Sequence, residues 1–264
     1  MNLCHDKLNR VRRSNPFIFQ EAFTLIELLV VVAIIGIVAA LALPHLGGIN
    51  KSNTMSNATR QLLDDVSLAR QKAMANHTTV YMVFVPVWTN IPNTTNANKL
   101  LAAQFTSYAF FSPRSVGDQP GRANARYLSN WKHLPDGVFI PPTKFYNPTA
   151  PLLITNSYAT KGFNVWPFHY ANGLPFPSED ETNATTFSLP YIAFNSAGQL
   201  LWPSNEFIPL ARGSIFYARD TNGALSRANA DVIETPPGNY TSNFNVINID
   251  WLTGRAKIEK VDIQ

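Results

Sequence analysis

The sequence predicts an α+β protein in which one long N-terminal helix, apolar in its first half and amphipathic in its second, packs on an antiparallel β-sheet domain with long loops. Three observations predict it. Residues 23–43 are almost wholly apolar. Residues 52–76 repeat apolar side chains at helical spacing, and the rest of the chain alternates short β-rich runs with clusters of Pro and Asn.

The first segment, FTLIELLVVVAIIGIVAALAL, is broken only by Thr24 and Glu27 before Pro44 and the Gly47-Gly48 pair. As a helix it is about 30 Å long, the thickness of a bilayer's hydrocarbon core, so a single membrane span is expected. Lys7, Arg10, Arg12 and Arg13 all precede it. Basic flanks stay cytoplasmic, which leaves residues 1–22 inside and sends the remainder outward. A secretory signal peptide and a buried core helix compete with a signal anchor. Ala39-Ala40-Leu41-Ala42 offers a small-residue cleavage site, although the run is long for a signal peptide. A core helix accounts for neither the uniform apolarity nor the basic tract. An ordinary anchor does not account for Glu27, because an ionisable group inside a membrane is costly and is usually kept for a partner.

The string from Ala22 through Phe23, Thr24, Leu25, Ile26 and Glu27 to Gly36 and Ile37 resembles the prepilin cleavage and methylation motif of type IV pilin-like proteins. The resemblance implies that prepilin peptidase cuts between Ala22 and Phe23, methylates the new Phe23 amine and leaves the apolar helix attached. Most members carry Gly before the cut; this chain has Ala22, also small. Glu27 then becomes the fifth mature residue. Its carboxylate needs a cation in an apolar bundle, and the Phe23 ammonium of an adjacent subunit supplies one, setting register between neighbours. Pro44 reads either as a helix end or as a kink within a longer helix, and the resemblance implies the kink. The partners implied are prepilin peptidase, other pilin or pseudopilin subunits, and inner-membrane lipid before assembly. The expected location is the bacterial inner membrane, single-pass, and then a periplasmic or cell-surface filament.

In the second half of the helix, Met55, Ala58, Leu62, Val66, Ala69 and Ala73 fall three or four apart and form one apolar stripe. Arg60, Asp64, Asp65, Arg70 and Lys72 mostly take the other face and read as a solvated surface. Asn76-His77 ends the helix, and Thr79 to Val85 reads as the first strand. Later strands are expected at Gln104 to Phe111, Gly137 to Ile140, Thr186 to Phe194, Ser214 to Arg219, Ala230 to Glu234, Asn245 to Trp251 and Ala256 to Val261. Pro86 to Leu100, Ser112 to Pro135 and Pro141 to Pro177 read as long loops. The organisation expected is a cleaved leader at 1–22, a helix at 23–76 and one β-rich domain at 77–264.

Several short stretches narrow the resemblance. Leu68 to Ala73, Thr79 to Met82, Ile192-Ala193-Phe194-Asn195-Ser196-Ala197-Gly198 and Val246 to Lys257 are similar, in that order, to stretches of the GspH/FimT family of minor pseudopilins. That likeness implies a minor subunit, while the long intervening loops depart from compact members.

Composition excludes little but constrains chemistry. Charged residues are 14% of the chain, against about 25% in ordinary domains, which suits an assembled or extracytoplasmic surface. The net charge of +4 falls to about +2 without residues 1–22, whose four cations face Asp6 and Glu21, so no polyanionic partner is compelled. Cys4 is the only cysteine and lies in the leader, leaving the mature chain no disulfide or thiol chemistry. No G-x-S-x-G elbow, no H-E-x-x-H and no Cys/His ligand spacing occurs, so neither an enzyme nor a cofactor is expected. His45, His77, His133 and His169 stand singly. Glu179-Asp180-Glu181 and Asp220-Thr221-Asn222-Gly223 are weak cation candidates, the second reading first as a turn. Trp166-Pro167-Phe168-His169-Tyr170 reads either as an aromatic platform for sugars or bases or as the closure of a core end. Arg255 and Lys257 alternate beyond Gly254 and would share a strand face able to grip phosphates, with Arg212, Arg219 and Arg227 as possible neighbours. Some FimT-like minor pilins bind DNA through a similar basic motif, which makes DNA uptake the alternative role; Asp250, Glu259 and Asp262 lie close by and oppose it.

Overall fold

The computed structural model describes residues 24–87, 98–114, 118, 124–145, 165–178, 186–226, 228–239 and 245–260, with backbone alone for 41–52 and 260. The chain divides into two compact units, 1–48 and 49–264. Helix α1, Leu25–Ala75, contributes to both. Its bounds pass through Pro44, Gly47 and Gly48.

The helix stops where the sequence indicates. Thr78 N donates to Ala73 O at 3.2 Å and His77 N to Met74 O at 3.4 Å, the paired bonds of a Schellman motif. His77 takes the left-handed position, with φ of 49°, that Gly or Asn usually fills. This turn delivers the chain into β1, Val80–Phe84.

Within the larger unit, Met55, Ala58, Leu62, Val66, Ala69 and Ala73 are all buried, so the apolar stripe is the helix's packing face. They meet Val80, Met82 and Phe84 of β1, while Val83 and Val85 enter a second apolar cluster with Phe111, Phe176 and Leu189. A strand buried on both faces needs a continuous apolar run rather than an alternating one, which is what VYMVFV supplies. Leu62 or Phe84 cut to Ala would cost about 2–5 kcal/mol.

Around β1 lies a sheet built with β2 (Ser107–Ser112), β3 (Arg126–Tyr127), β4 (Lys132–His133), β6 (His169–Pro175) and β7 (Thr186–Phe194). Its order is β3-β2-β1-β7-β6, with β4 also on β2. A second sheet runs β11-β10-β8-β5, with β9 on β8. Its strands are β5 (Val138–Phe139), β8 (Glu206–Phe216), β9 (Asp231–Glu234), β10 (Asn245–Ile249) and β11 (Ala256–Lys260). All described pairings are antiparallel. The described residues are thus α+β, with an N-terminal helix and antiparallel sheets.

Four expectations need correction. Asp65 is not solvated: it is buried, accepts the Tyr108 hydroxyl at 2.6 Å and pairs with Lys132. Arg70 is half-buried, its Nε donating to Gly198 O at 3.1 Å and Thr253 O at 2.8 Å. The stretches from Ser112 to Pro135 and from Pro141 to Pro177 are not all loop, since β3 and β4 lie in the first and β6 in the second; in β6 the register shift between Ala171 and Leu174, with Gly173 at φ 78°, is a bulge that accommodates the glycine. Strand β8 begins at Glu206, eight residues before the expected Ser214. Pro209 hid it, yet a strand tolerates proline where one flank is unpaired: β10 covers one side there, and on the other β5 reaches only Ala211 and Arg212.

Aromatic side chains fill the end of the core near β6. Phe84 and Phe168 stack at 4.3 Å between centroids, with Phe145 edge-on to both. Beside them Lys144 is fully buried and paired with Glu206.

Candidate functional site

The best-defined site is the start of α1. Ala22 and Phe23, the expected cleavage pair, lie outside the described residues. Thr24 is the first described residue and caps the helix: Thr24 N donates to Glu27 Oε2 at 2.8 Å, Thr24 Oγ1 donates to the same oxygen at 2.7 Å, and Glu27 N donates back to Thr24 Oγ1 at 3.3 Å. This is a reciprocal capping box, worth having because the first turn of any helix leaves its N–H groups without partners. Thr-x-x-Glu before an apolar run is its sequence signature, one that the charge-pairing view of Glu27 overlooked.

Beyond the cap, Leu25, Ile26, Leu28, Leu29, Ile34, Ile35 and Ile37 are all more than half exposed in the single chain. So much contiguous apolar surface is far outside what a soluble monomer shows and marks a surface that associates with lipid or protein. Among the described residues no helix is long and apolar enough to cross a membrane. The side chains described in this run end at Ala40, while the apolar sequence continues to Leu43.

The basic turn is less promising. Arg255 and Lys257 are both exposed, but Lys257 pairs with Glu259 at 3.0 Å, and Glu259 also accepts Asn248 Nδ2 at 2.8 Å. Asp250 shapes the turn: its Oδ1 accepts the Thr253 amide and hydroxyl, each at 2.8 Å, and those bonds hold its carboxyl below the usual range. Arg212 does not join this group. Ile249 sits opposite both Ala256 and Glu206, and Arg212 is six positions further along β8, about 20 Å away. Arg219 donates to Gly223 O at 2.8 Å in a different turn, and Arg227 lies outside the described residues.

In that other turn, Asp220 Oδ1 accepts the amides of Asn222 and Ala224 at 2.8 and 3.0 Å, with Gly223 at φ 79°. The Asp220 carboxylate is thus spent on a turn. Glu179 to Glu181 lie outside the described residues. Among the described residues no group of three or more His, Cys, Asp and Glu is placed to hold a metal.

The family described as the prokaryotic N-terminal methylation motif matches residues 19–43. Those residues include the cleavage pair, Glu27 and the capped first turn. Curated proteins and solved structures give no match to the chain. The N-terminal segment therefore carries a prepilin-type methylation motif, the feature on which a likeness to type IV pilin-like proteins rests.

Proposed function

We propose that this chain is a minor pilin or pseudopilin, a structural subunit of a type IV pilus or a type II secretion pseudopilus. Its order of stretches similar to GspH/FimT members favours a minor subunit over a bulk shaft pilin. Prepilin peptidase removes residues 1–22 at the cytoplasmic face and methylates Phe23. The apolar helix holds the subunit in the inner membrane as a single span, with the β-rich domain outside the cytoplasm. On assembly the helix leaves lipid and packs against the helices of other subunits, so its work is assembly rather than turnover.

The observation that carries this reading is Glu27, an acid in the first turn of an exposed apolar helix, inside the segment that matches the methylation motif. Thr24 holds the carboxylate at the helix start, and Thr24 directly follows in sequence the residue whose amine cleavage before Phe23 would create. Both Thr24 donors bond to Oε2, so the arrangement suits a carboxylate that meets a neighbour's ammonium in the filament. The DNA-uptake alternative draws less support, because Lys257 is already paired with Glu259 and Arg212 is remote. Immunogold labelling of sheared filaments tests the proposal: label along or at the end of filaments is expected, and label confined to cell membranes would refute it.

A further inference from the structure

A cleft of about 240 Å³ opens beside the buried Lys144–Glu206 pair, lined by Trp166, His169, Ser204, Asn205 and Glu206 among others. We infer that this cleft binds one ring of a neutral saccharide, with the Trp166 indole against the sugar's apolar face and Glu206, Asn205 and Ser204 meeting its hydroxyls. The inference is independent of the assembly role and concerns the outer domain alone.

The cleft is built rather than incidental. The fully buried Lys144 ammonium donates to Trp166 O at 2.5 Å and to the Glu206 carboxylate, so one cation ties both walls together. Its charge lies over the Phe168 ring, 4.6 Å from the centroid. A third wall is fixed by stacking: His169 lies on Trp202 at 4.3 Å and 15°, and Trp202 Nε1 donates to Tyr191 Oη at 2.9 Å. Asn205 is held by accepting the Trp251 amide at 3.0 Å. Positions locked this way pay little to order on binding.

The chemistry selects the ligand. Trp166 is half exposed although its neighbours Val165, Pro167 and Phe168 are buried, so an indole stands at the mouth of the cleft. Its negative ring face suits the slightly positive C–H groups on one side of a pyranose. The polar groups are amide, hydroxyl and carboxylate, which suit hydroxyls. Lys144 and Glu206 neutralise each other, and burial lowers the His169 pKa, which keeps the ring neutral near pH 7. Among the described residues lining the cleft none offers a cation to a phosphate, which argues against a nucleotide. The volume lies below the roughly 300–1,000 Å³ of drug-sized pockets, enough for a single ring.

The test uses the full chain in a sugar-free zwitterionic detergent, titrated with the methyl glycosides of glucose, galactose, mannose and N-acetylglucosamine and read by indole N–H resonances. A saturable shift of Trp166 with at least one glycoside, at a Kd of about 1 mM or tighter, is expected. Trp166→Ala should weaken binding about tenfold or more with an unchanged circular dichroism spectrum, and Trp166→Phe by less, since it keeps an aromatic face. Phe216→Ala, exposed and outside the cleft, should leave the affinity alone. No saturable shift with any of the glycosides, equal affinity of Trp166→Ala, or binding of adenosine monophosphate in their place would overturn the inference.

Discussion

The carbonyl oxygen of Gly198 lies 1.9 Å from where a Cβ on Gly254 would stand. The turn between β7 and β8 therefore touches the turn between β10 and β11 backbone to backbone, and Arg70 of the helix bonds to both. Gly254 also has φ of 62°, so two separate demands fall on one residue. Gly254→Ala is expected to destabilise the larger unit by about 2 kcal/mol or more, because backbone rather than a flexible side chain must yield. A thermal melt reads this, and an unchanged Tm would contradict the contact.

Tyr108→Phe removes the hydroxyl that Asp65 accepts and leaves a buried carboxylate oxygen short of a donor. A cost of about 1–3 kcal/mol follows. Burial, with the Asp65 carboxylate beside it, raises the Tyr108 pKa, so the phenol stays protonated in the native protein well into alkaline pH. Burial raises the Tyr170 pKa as well, so ultraviolet titration should show both tyrosines ionising only on unfolding, and one fewer such group in Tyr108→Phe is the check.

His169 should titrate below 6.5, since burial disfavours the imidazolium. The folded state then binds fewer protons than the unfolded chain at and below that pH. Its contribution to stability is accordingly present above pH 6.5 and lost as pH falls through the lowered folded value. NMR titration of the His169 ring measures it, and a midpoint above 6.5 would contradict the environment described.

Arg255→Ala combined with Lys257→Ala is expected to leave DNA retention and its salt dependence unchanged, since Lys257 spends its charge on Glu259. A reduced salt slope in the double variant would restore the DNA-uptake role.

Glu27→Ala should still insert into membrane, as it removes the only acid from the apolar run, but should fail to enter filaments. Normal incorporation of this variant would contradict the role given to the carboxylate.

Periodicity made much of this fold legible. The stripe from Met55 to Ala73 was readable because each buried residue recurs at helical spacing, and β7 was readable because TFSLPYIAF is β-rich throughout. What sequence could not show was partnership across distance. Asp65 looks like any charge on a polar helix face until Tyr108, 43 residues away, places a hydroxyl on it. Strand β6 hid behind Asn172 and Gly173, which mark a bulge here rather than a loop. At the N-terminus the motif is legible in full, and Thr24 and Glu27 also spell a capping box within it. The Trp166 cleft depends on Lys144 and Glu206 meeting across 62 residues, which no local pattern reveals.

The central claim rests on the bond between Ala22 and Phe23. N-terminal mass spectrometry of the protein recovered from cells tests it most directly. A mature chain beginning at N-methylated Phe23 is expected; an intact leader, or a start after Ala42, would contradict the account.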